Sequence, residues 1–349
     1  MGARNSPLGW LRQSFPVDGE VLREMSSEPI PNHLKRWWYA LGGTPAYLFI
    51  VLAATGISLT FYYRPSPEVA YESVGRITNE IRFGWLIRSV HHWAANLMVL
   101  SVILHVIRVF FTRAYRKPRE LNWMFGVGIL IVIFTFGFTG YSLVYEQLSY
   151  WAAVVGTNIA EATPIVGPYL ATFMRGGVDI TSNTLTRMFV LHIGVLPTVI
   201  VILLGLHIVQ IRLHGVSIPD GEAKKDAGKT FPFFPNHLMT ELVIGLSLTI
   251  LLVVLALIAP APLGEPANPN VTPEHIKPEW YFFAMFRWLK LTSFKVGVLG
   301  TMGFVGIFLF WPFIDRLIER AFPGKGVAMW IGVLGVLTLI AFTIWEAFV

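Results

Sequence analysis

Seven stretches of this 349-residue chain run for 19 residues or more without an Asp, Glu, Lys or Arg: Trp37–Tyr63, Ser89–Ile107, Leu121–Tyr145, Met188–Ile211, Leu242–Gly264, Val296–Ile314 and Gly326–Trp345. About 20 mostly apolar residues in a helix cross a hydrocarbon layer roughly 30 Å thick. Inside that layer every backbone amide must find its partner within the protein, which leaves helices as the natural form for such runs. Charged residues are only 14% of the chain, against about 25% in soluble domains. A soluble core would not repeat this pattern seven times. The expected fold class is an all-α membrane protein with seven transmembrane helices: an N-terminal four-helix bundle, then three C-terminal helices.

With the N-terminus inside, 17 of the 27 Lys and Arg residues fall on the inner side and 10 on the outer. The loops Arg113–Arg119 and Arg212–Lys229 carry much of this bias, which follows the positive-inside rule. The expected location is a bacterial cytoplasmic membrane with a cytoplasmic N-terminus. The formal charge of +6 is read as topology and contact with anionic membrane lipids, not as a nucleic-acid footprint. Residues 1–30 contain charges throughout and no apolar leader core, so they read as an inner-surface amphipathic segment. The chain has no cysteine. Disulfides, cysteine-ligated iron–sulfur clusters and thioether-linked haem are therefore excluded for it.

The organisation expected along the chain is a surface segment (1–30), a four-helix unit (31–215), a polar inner loop (216–237) and a three-helix unit (238–349). The loop holds the turn-rich run Pro219–Lys229, and an outer connection spans Pro260–Lys295.

Four histidines lie in the apolar runs as two pairs, His91 with His105 and His192 with His207, spaced 14 and 15 residues apart. Fourteen residues of α-helix end about 40° short of four turns, and fifteen overshoot by about 60°. Each pair thus shares a helix face, its members roughly 21–22 Å apart along the axis. Two such helices side by side have the geometry to hold two bis-histidine haems near the two membrane surfaces. Gly42 and Gly56, and likewise Gly126 and Gly140, repeat the 14-residue spacing. Glycines in membrane helices permit close helix packing, or here clear space for flat macrocycles; the matched spacing favours clearance. Arg88 and Arg108 flank the first pair by three residues each. They are placed either to neutralise haem propionates or to snorkel to the interface. His92 points about 100° away from His91 and is read as a non-ligand. His33, His214, His237 and His275 sit at boundaries or in loops and read by default as surface histidines; a quinone site on the inner side is the alternative for His214 and His237.

A second signal is Pro278-Glu279-Trp280-Tyr281 at the outer boundary, followed by an amphipathic helix through Lys290. A carboxylate among aromatic rings pays a desolvation cost and needs a partner or a protonation role. Glu279 suits an acceptor for a quinol hydroxyl proton, and equally suits the first turn of the helix that follows.

The chain resembles cytochrome b of the quinol-oxidising bc-type complexes, closest to the cytochrome b6 branch. The stretches that carry this are Gly84–Trp93 (GWLIRSVHHW), Lys117–Trp123 (KPRELNW), Phe136–Leu143 (FGFTGYSL), Thr184–His192 (TLTRMFVLH) and Pro278–Tyr281. The 15-residue histidine spacing is the b6-like form, and beyond about residue 230 the chain is similar to subunit IV. The resemblance implies His91 and His192 as ligands of an outer b-type haem and His105 and His207 as ligands of an inner one. It also implies Glu279 and Tyr281 at an outer quinol-oxidation site, with Arg187 among the cofactor-side arginines and Arg212 near an inner quinone-reducing region. Glu241 stands loosely near an inner-side acid of the mitochondrial relatives. Two departures stand out. Where the b6 branch has a haem-linking cysteine this chain has Ala40, so a third haem is either absent or not covalently held. Where the family has Leu-Pro-Trp it reads Leu143-Val144-Tyr145, which puts the shape of the oxidation pocket in question.

The function implied is the core di-haem subunit of a quinol:cytochrome c (or equivalent) oxidoreductase. It would bifurcate electrons between a Rieske [2Fe–2S] protein and its own haems, reduce quinone at the inner side and build a proton gradient. The implied partners are that Rieske protein, a c-type cytochrome acceptor, quinone and a second copy of the chain. A rival is a non-bifurcating di-haem anchor that relays electrons between a dehydrogenase and quinone; another is a transporter that uses its histidines as proton relays. A dithionite-reduced minus oxidised spectrum of the purified protein is expected to show a b-type α-band; no band would leave only the transporter.

Overall fold

The computed structural model describes residues 29–35, 37–217, 229–274 and 276–349. Most of the surface segment expected over 1–30, the middle of the 216–237 loop, His275 and the side chain of His33 lie outside the described residues. Among the described residues six helices are long and apolar enough to cross a membrane: Trp38–Thr60, Gly84–Phe111, Glu120–Ser142, Ser182–His214, Phe233–Ile258 and Val327–Phe348. A bent pair, Phe294–Leu309 with Trp311–Ala321, makes a seventh if counted as one span. In chain order the helices are α1 (Gly43–Thr60), α2 (Ala70–Asn79), α3 (Gly84–Phe111), α4 (Glu120–Ser142), α5 (Gln147–Glu161), α6 (Gly167–Arg175), α7 (Ser182–Val190) and α8 (Leu196–His214). After the loop come α9 (Leu238–Ile258), α10 (Phe283–Leu291), α11 (Phe294–Leu309), α12 (Trp311–Ala321) and α13 (Val327–Phe348). Inner and outer below name the two ends as the charge bias orients them.

α1 packs along α3, and α4 along α8, while α9 packs against α3 and also touches α1. The apolar centre comes from all five: Leu48, Ala94, Met98, Val99, Val102, Ile133, Ile200 and Leu252. On α3 these residues fall between His91 and His105, so packed hydrocarbon separates the two histidine levels. α7 and α8 are one continuous helix joined by a π-helical turn, Leu191–Val195, which contains His192. A π turn bonds i to i+5 and takes up one extra residue. The 15 residues from His192 to His207 therefore advance like about 14 of regular helix. The overshoot expected from their spacing is absorbed, and both pairs acquire the same angular offset.

The sixth apolar run differs from a straight span. α11 covers about 24 Å at 1.5 Å per residue, then the chain bends by 75° into α12. Pro312 explains the bend: it has no amide hydrogen for the carbonyl of Phe308, and its ring crowds that carbonyl. The freed Phe308 carbonyl accepts the indole N–H of Trp123 at 2.8 Å. Beyond the bend, Asp315, Arg316 and Glu319 share the helix with the exposed Phe313 and Leu317. Arg116 grips Asp315 through two bonds of 2.7 and 3.1 Å and reaches Glu319 at 3.3 Å. Trp311 donates to the Tyr115 hydroxyl at 3.1 Å. α12 is thus bonded to the loop between α3 and α4, and the end of α11 to α4. Also at the inner end, β1 (Pro29–Pro31) pairs antiparallel with β2 (Thr230–Pro232).

At the outer end α10 packs on α13. Glu346, fully buried, meets Arg287 at 2.9 Å and Lys290 at 2.6 Å, both from α10. The Arg287 guanidinium also lies 4.5 Å from the Trp345 ring centre. Removing one partner of a buried ion pair strands the remaining charge at a cost of about 3–5 kcal/mol. Glu346→Leu is expected to destabilise the protein by about that amount, read as a lowered unfolding midpoint in detergent; an unchanged midpoint would contradict it.

Candidate functional site

Each of the four histidines lies against one of the four glycines expected to matter. A β-carbon built on Gly56 would stand 3.2 Å from His91 Cε1, and one on Gly42 3.8 Å from His105 Cε1. On the other pair of helices, Gly140 would meet His192 Cε1 at 2.6 Å and Gly126 would meet His207 Cε1 at 3.5 Å. Because α1 runs antiparallel to α3, and α4 to α8, equal spacing matches glycine to histidine at both depths. What the glycines admit first is the imidazole ring of the neighbouring helix.

Three of the rings are held in one tautomer. His91 Nδ1 is 2.9 Å from Thr55 Oγ1, whose own hydroxyl donates to the Val51 carbonyl at 2.7 Å. That threonine oxygen is left to accept, so Nδ1 carries the proton. His192 Nδ1 stands likewise 3.0 Å from Thr139 Oγ1, which donates to the Thr135 carbonyl at 2.8 Å. His207 Nδ1 donates to the Asn122 carbonyl at 3.1 Å. Each ring then presents an unprotonated Nε2, the state in which a histidine binds metal while its other nitrogen is oriented by a hydrogen bond. Sequence reasoning passed over Thr55 and Thr139. The sign was there in the Thr-Gly dipeptides 55–56 and 139–140, repeated in the two glycine helices.

The His91 and His192 ring centres are 6.4 Å apart. Two metal–nitrogen bonds of about 2 Å plus two ring radii of about 1.1 Å predict roughly 6.2 Å for imidazoles on opposite sides of one metal. Among the described residues no three His, Cys, Asp or Glu side chains converge on a metal position. A metal between a histidine pair would draw its remaining ligands from a macrocycle, so the residues fit haem. At the inner level His105 and His207 lie against Gly42 and Gly126. Here Arg108 Nη2 approaches His105 Nδ1 at 3.4 Å, its Nε is buried with no hydrogen-bond partner, and its guanidinium lies 5.2 Å from the Tyr39 ring centre. A buried, unsatisfied guanidinium nitrogen fits an anionic group such as a propionate.

The other arginines are placed differently. Arg88 donates to the carbonyls of Ala261, at 2.9 Å, and Pro262, and to Thr78 Oγ1 at 3.3 Å. Arg187 donates to the Phe173 carbonyl and lies over that residue's ring. Arg212 sits in the last turn of α8, at the inner end. Near it in depth, a cavity of about 190 Å³ is lined by Lys35, Ala40, Phe231, His237, Thr240 and Glu241 among others. His237 Nε2 is 3.9 Å from Glu241 Oε1.

At the outer end, Trp280–Phe282 form a short 3-10 turn that leads into α10. The Glu279 carbonyl accepts the Phe282 amide at 2.9 Å, but its carboxylate makes no capping bond. The capping role is thus taken by the backbone. Burial first, and then the Glu146 carboxylate, hold the Glu279 carboxyl above its ordinary pKa. Burial and the Glu279 charge likewise raise the Tyr281 hydroxyl, keeping it protonated. Its oxygen would stand 2.7 Å from a β-carbon on Gly137, so that glycine makes room for it. A cavity of about 470 Å³ lined by Val155, Asn158, Glu161, Ala162 and Phe294 includes neither Glu279 nor Tyr281.

The turn that lacks the family's proline is held from outside. Tyr145 adopts a left-handed φ of 55°, strained for a bulky residue. Tyr63 donates to the Leu143 carbonyl at 2.8 Å, Ala267 to the Tyr145 carbonyl at 3.3 Å, and Gln147 to the Glu265 carbonyl at 2.8 Å. Glu146 pairs with Pro266 and accepts the Gly264 amide at 2.6 Å.

Two stacked histidine pairs, three of whose four rings present an unprotonated Nε2, inside a bundle of membrane-crossing helices, define a class: an integral membrane protein built to hold b-type haem. Comparison with known proteins agrees. The family described as Cytochrome b/b6/petB matches residues 25–215, and Cytochrome b(C-terminal)/b6/petD matches residues 266–347. A cytochrome b6 of Heliomicrobium gestii is 48% identical over 210 residues, covering 60% of this chain and 99% of that protein. A cytochrome bc complex cytochrome b subunit of Chlorobaculum thiosulfatiphilum is 37% identical over 320 residues, covering 90% of this chain and 74% of that one. A solved hyperthermophilic respiratory Complex III chain superposes with a TM-score of 0.80 at 27% identity, over 97% of both chains. The chain belongs to the cytochrome b/b6 family.

The glycine contacts differ enough to separate two variants. Gly140→Ala, whose β-carbon overlaps His192, is expected to lower the bound b-type haem measured as pyridine haemochrome. Gly42→Ala, at ordinary contact distance from His105, is expected to retain it. Equal haem content in the two variants would contradict this.

Proposed function

We propose that the chain is the core subunit of a bc-type complex that oxidises quinol at its outer end, passes electrons through two b-type haems and reduces quinone at its inner end. The observation that carries this reading is the pair of histidine levels, with Nε2 open on His91, His192 and His207, together with a half-buried carboxylate, Glu279, that caps nothing. His91 and His192 would hold one haem and His105 and His207 the other, with Arg108 toward a propionate at the inner level. When bound, these groups supply one-electron carriers that join the two membrane faces. Arg88 and Arg187 serve here by fixing the outer connections around the site, and Arg212 by lying near the inner quinone.

Quinol oxidation releases two electrons and two protons. One electron goes to a Rieske iron–sulfur partner, and through it to a c-type cytochrome or equivalent acceptor; the other goes inward. The Glu279 carboxylate accepts a hydroxyl proton from quinol and returns it to outer water. Tyr281, kept protonated, is a hydrogen-bond donor to a quinone oxygen. At the inner end the cavity beside Lys35, His237 and Glu241 suits quinone and proton uptake. Ala40 lines that cavity and offers no thiol, so no haem is covalently fixed there. The complex is a homodimer in the cytoplasmic membrane of a bacterium, N-terminus inside. The units 31–215 and 238–349 take separate tasks in this reading, haem binding and the quinol-oxidation motif, joined by the 216–237 loop. A non-bifurcating anchor would need the histidines but neither Glu279 nor the C-terminal helices.

The raised pKa of Glu279 gives a signed test. As a base it works only when ionised, so quinol oxidation is expected to fall on the acid side as pH drops through that raised value. Glu279→Gln is expected to slow turnover at neutral pH by about 10²-fold or more, to remove that acid limb, and to leave the haem spectrum intact. Wild-type turnover in Glu279→Gln across the pH range would overturn the assignment.

A further inference from the structure

The helix that carries His91 and His105 has a second polar face. Ser89, Trp93 and Asn96 lie at i, i+4 and i+7, within an arc of about 60°, and His91 points roughly the opposite way. All three are hydrogen-bonded to the outer connection or to the end of α9 that enters it. Ser89 Oγ accepts the Ala261 amide at 3.0 Å, and Trp93 Nε1 donates to the Ala259 carbonyl at 2.7 Å. Asn96 Oδ1 accepts the indole N–H of Trp280 at 2.6 Å. Arg88 adds its bonds to Ala261 and Pro262. Asn96 is itself oriented, because its Nδ2 donates to the His92 carbonyl at 3.0 Å.

We propose that Asn96 is a positioning residue for quinol oxidation: through Trp280 it fixes the Glu279–Tyr281 turn at a set distance from the helix that bears the outer histidine. The proposal rests on the quinol-oxidation reading above. Its chemistry is that of a half-buried indole N–H, which requires an acceptor. Asn96 supplies one from a rigid helix, while Ser89 and Trp93 hold the segment that enters the same region. A positioning bond is felt at the reacting atoms, since a misplacement near 1 Å can cost about 10²-fold in rate. Glu279 and Tyr281 flank Trp280 directly in sequence, so a shift of the indole moves both.

The test uses the purified complex with Asn96→Leu, Trp280→Phe and the double variant. Asn96→Leu is expected to lower kcat for quinol-to-acceptor turnover about tenfold or more, with haem content and the dithionite-reduced spectrum unchanged. The double variant is expected to be no slower than the slower single one, because both remove one shared bond. Ultraviolet resonance Raman difference spectra, wild type minus Asn96→Leu, are expected to show one indole N–H losing a strong hydrogen bond. Wild-type turnover in Asn96→Leu, or multiplying effects in the double variant, would overturn the proposal. If Asn96→Leu does not assemble, Trp280→Phe decides alone: a similar fall in kcat with intact haem supports it, and a wild-type rate overturns it. If the wild-type complex oxidises no quinol, the functional reading fails instead, while the indole band still reports whether Asn96 holds Trp280.

Discussion

The contact on which the bundle depends is an imidazole ring seated over a bare helix backbone. A histidine inside hydrocarbon is costly unless its polar atoms are satisfied. Here α1 and α4 offer, at each outer level, a glycine that lets the ring approach and a threonine that takes its Nδ1 proton. Packing and hydrogen bonding are supplied by adjacent residues of the same helix. The close approach of α1 to α3 and of α4 to α8 follows, and so does the direction in which each Nε2 points.

The outer end is organised by polar bonds between elements far apart in sequence. α10 is held by Glu346 from the last helix, and the turn before it by Asn96 from the histidine helix. The strained Tyr145 turn is clasped by Tyr63, Ala267 and the Glu146–Pro266 pairing. These bonds leave Glu279 as a carboxylate that neither caps a helix nor pairs with a cation in the described surroundings, a costly condition that a chemical role explains.

Much of this was legible in the sequence because it rests on local periodicity. Charge-free length located the helices, and equal spacing brought His91, His105, His192 and His207 against Gly56, Gly42, Gly140 and Gly126. What could not be read depends on partners across space. The bend before α12 lies within an apolar run, and it needed Pro312 to be set beside Trp123 and Phe308 to be recognised. Arg88, judged by its distance from His91 along the helix, proved to be bonded to Ala261 and Pro262, more than 170 residues away. The capping alternative for Glu279 was also open until the Phe282 amide was seen to go to a carbonyl.

The π turn around His192 has a consequence for how such helices change over time. An added residue normally rotates everything beyond it by about 100°, which in a membrane would swing a ligand out of line. Stored as one widened turn, the addition stays local and the far half of the helix keeps its facing. Insertion length and ligand alignment are thereby decoupled, and a lineage can gain or shed that residue without rebuilding the opposite side of the membrane.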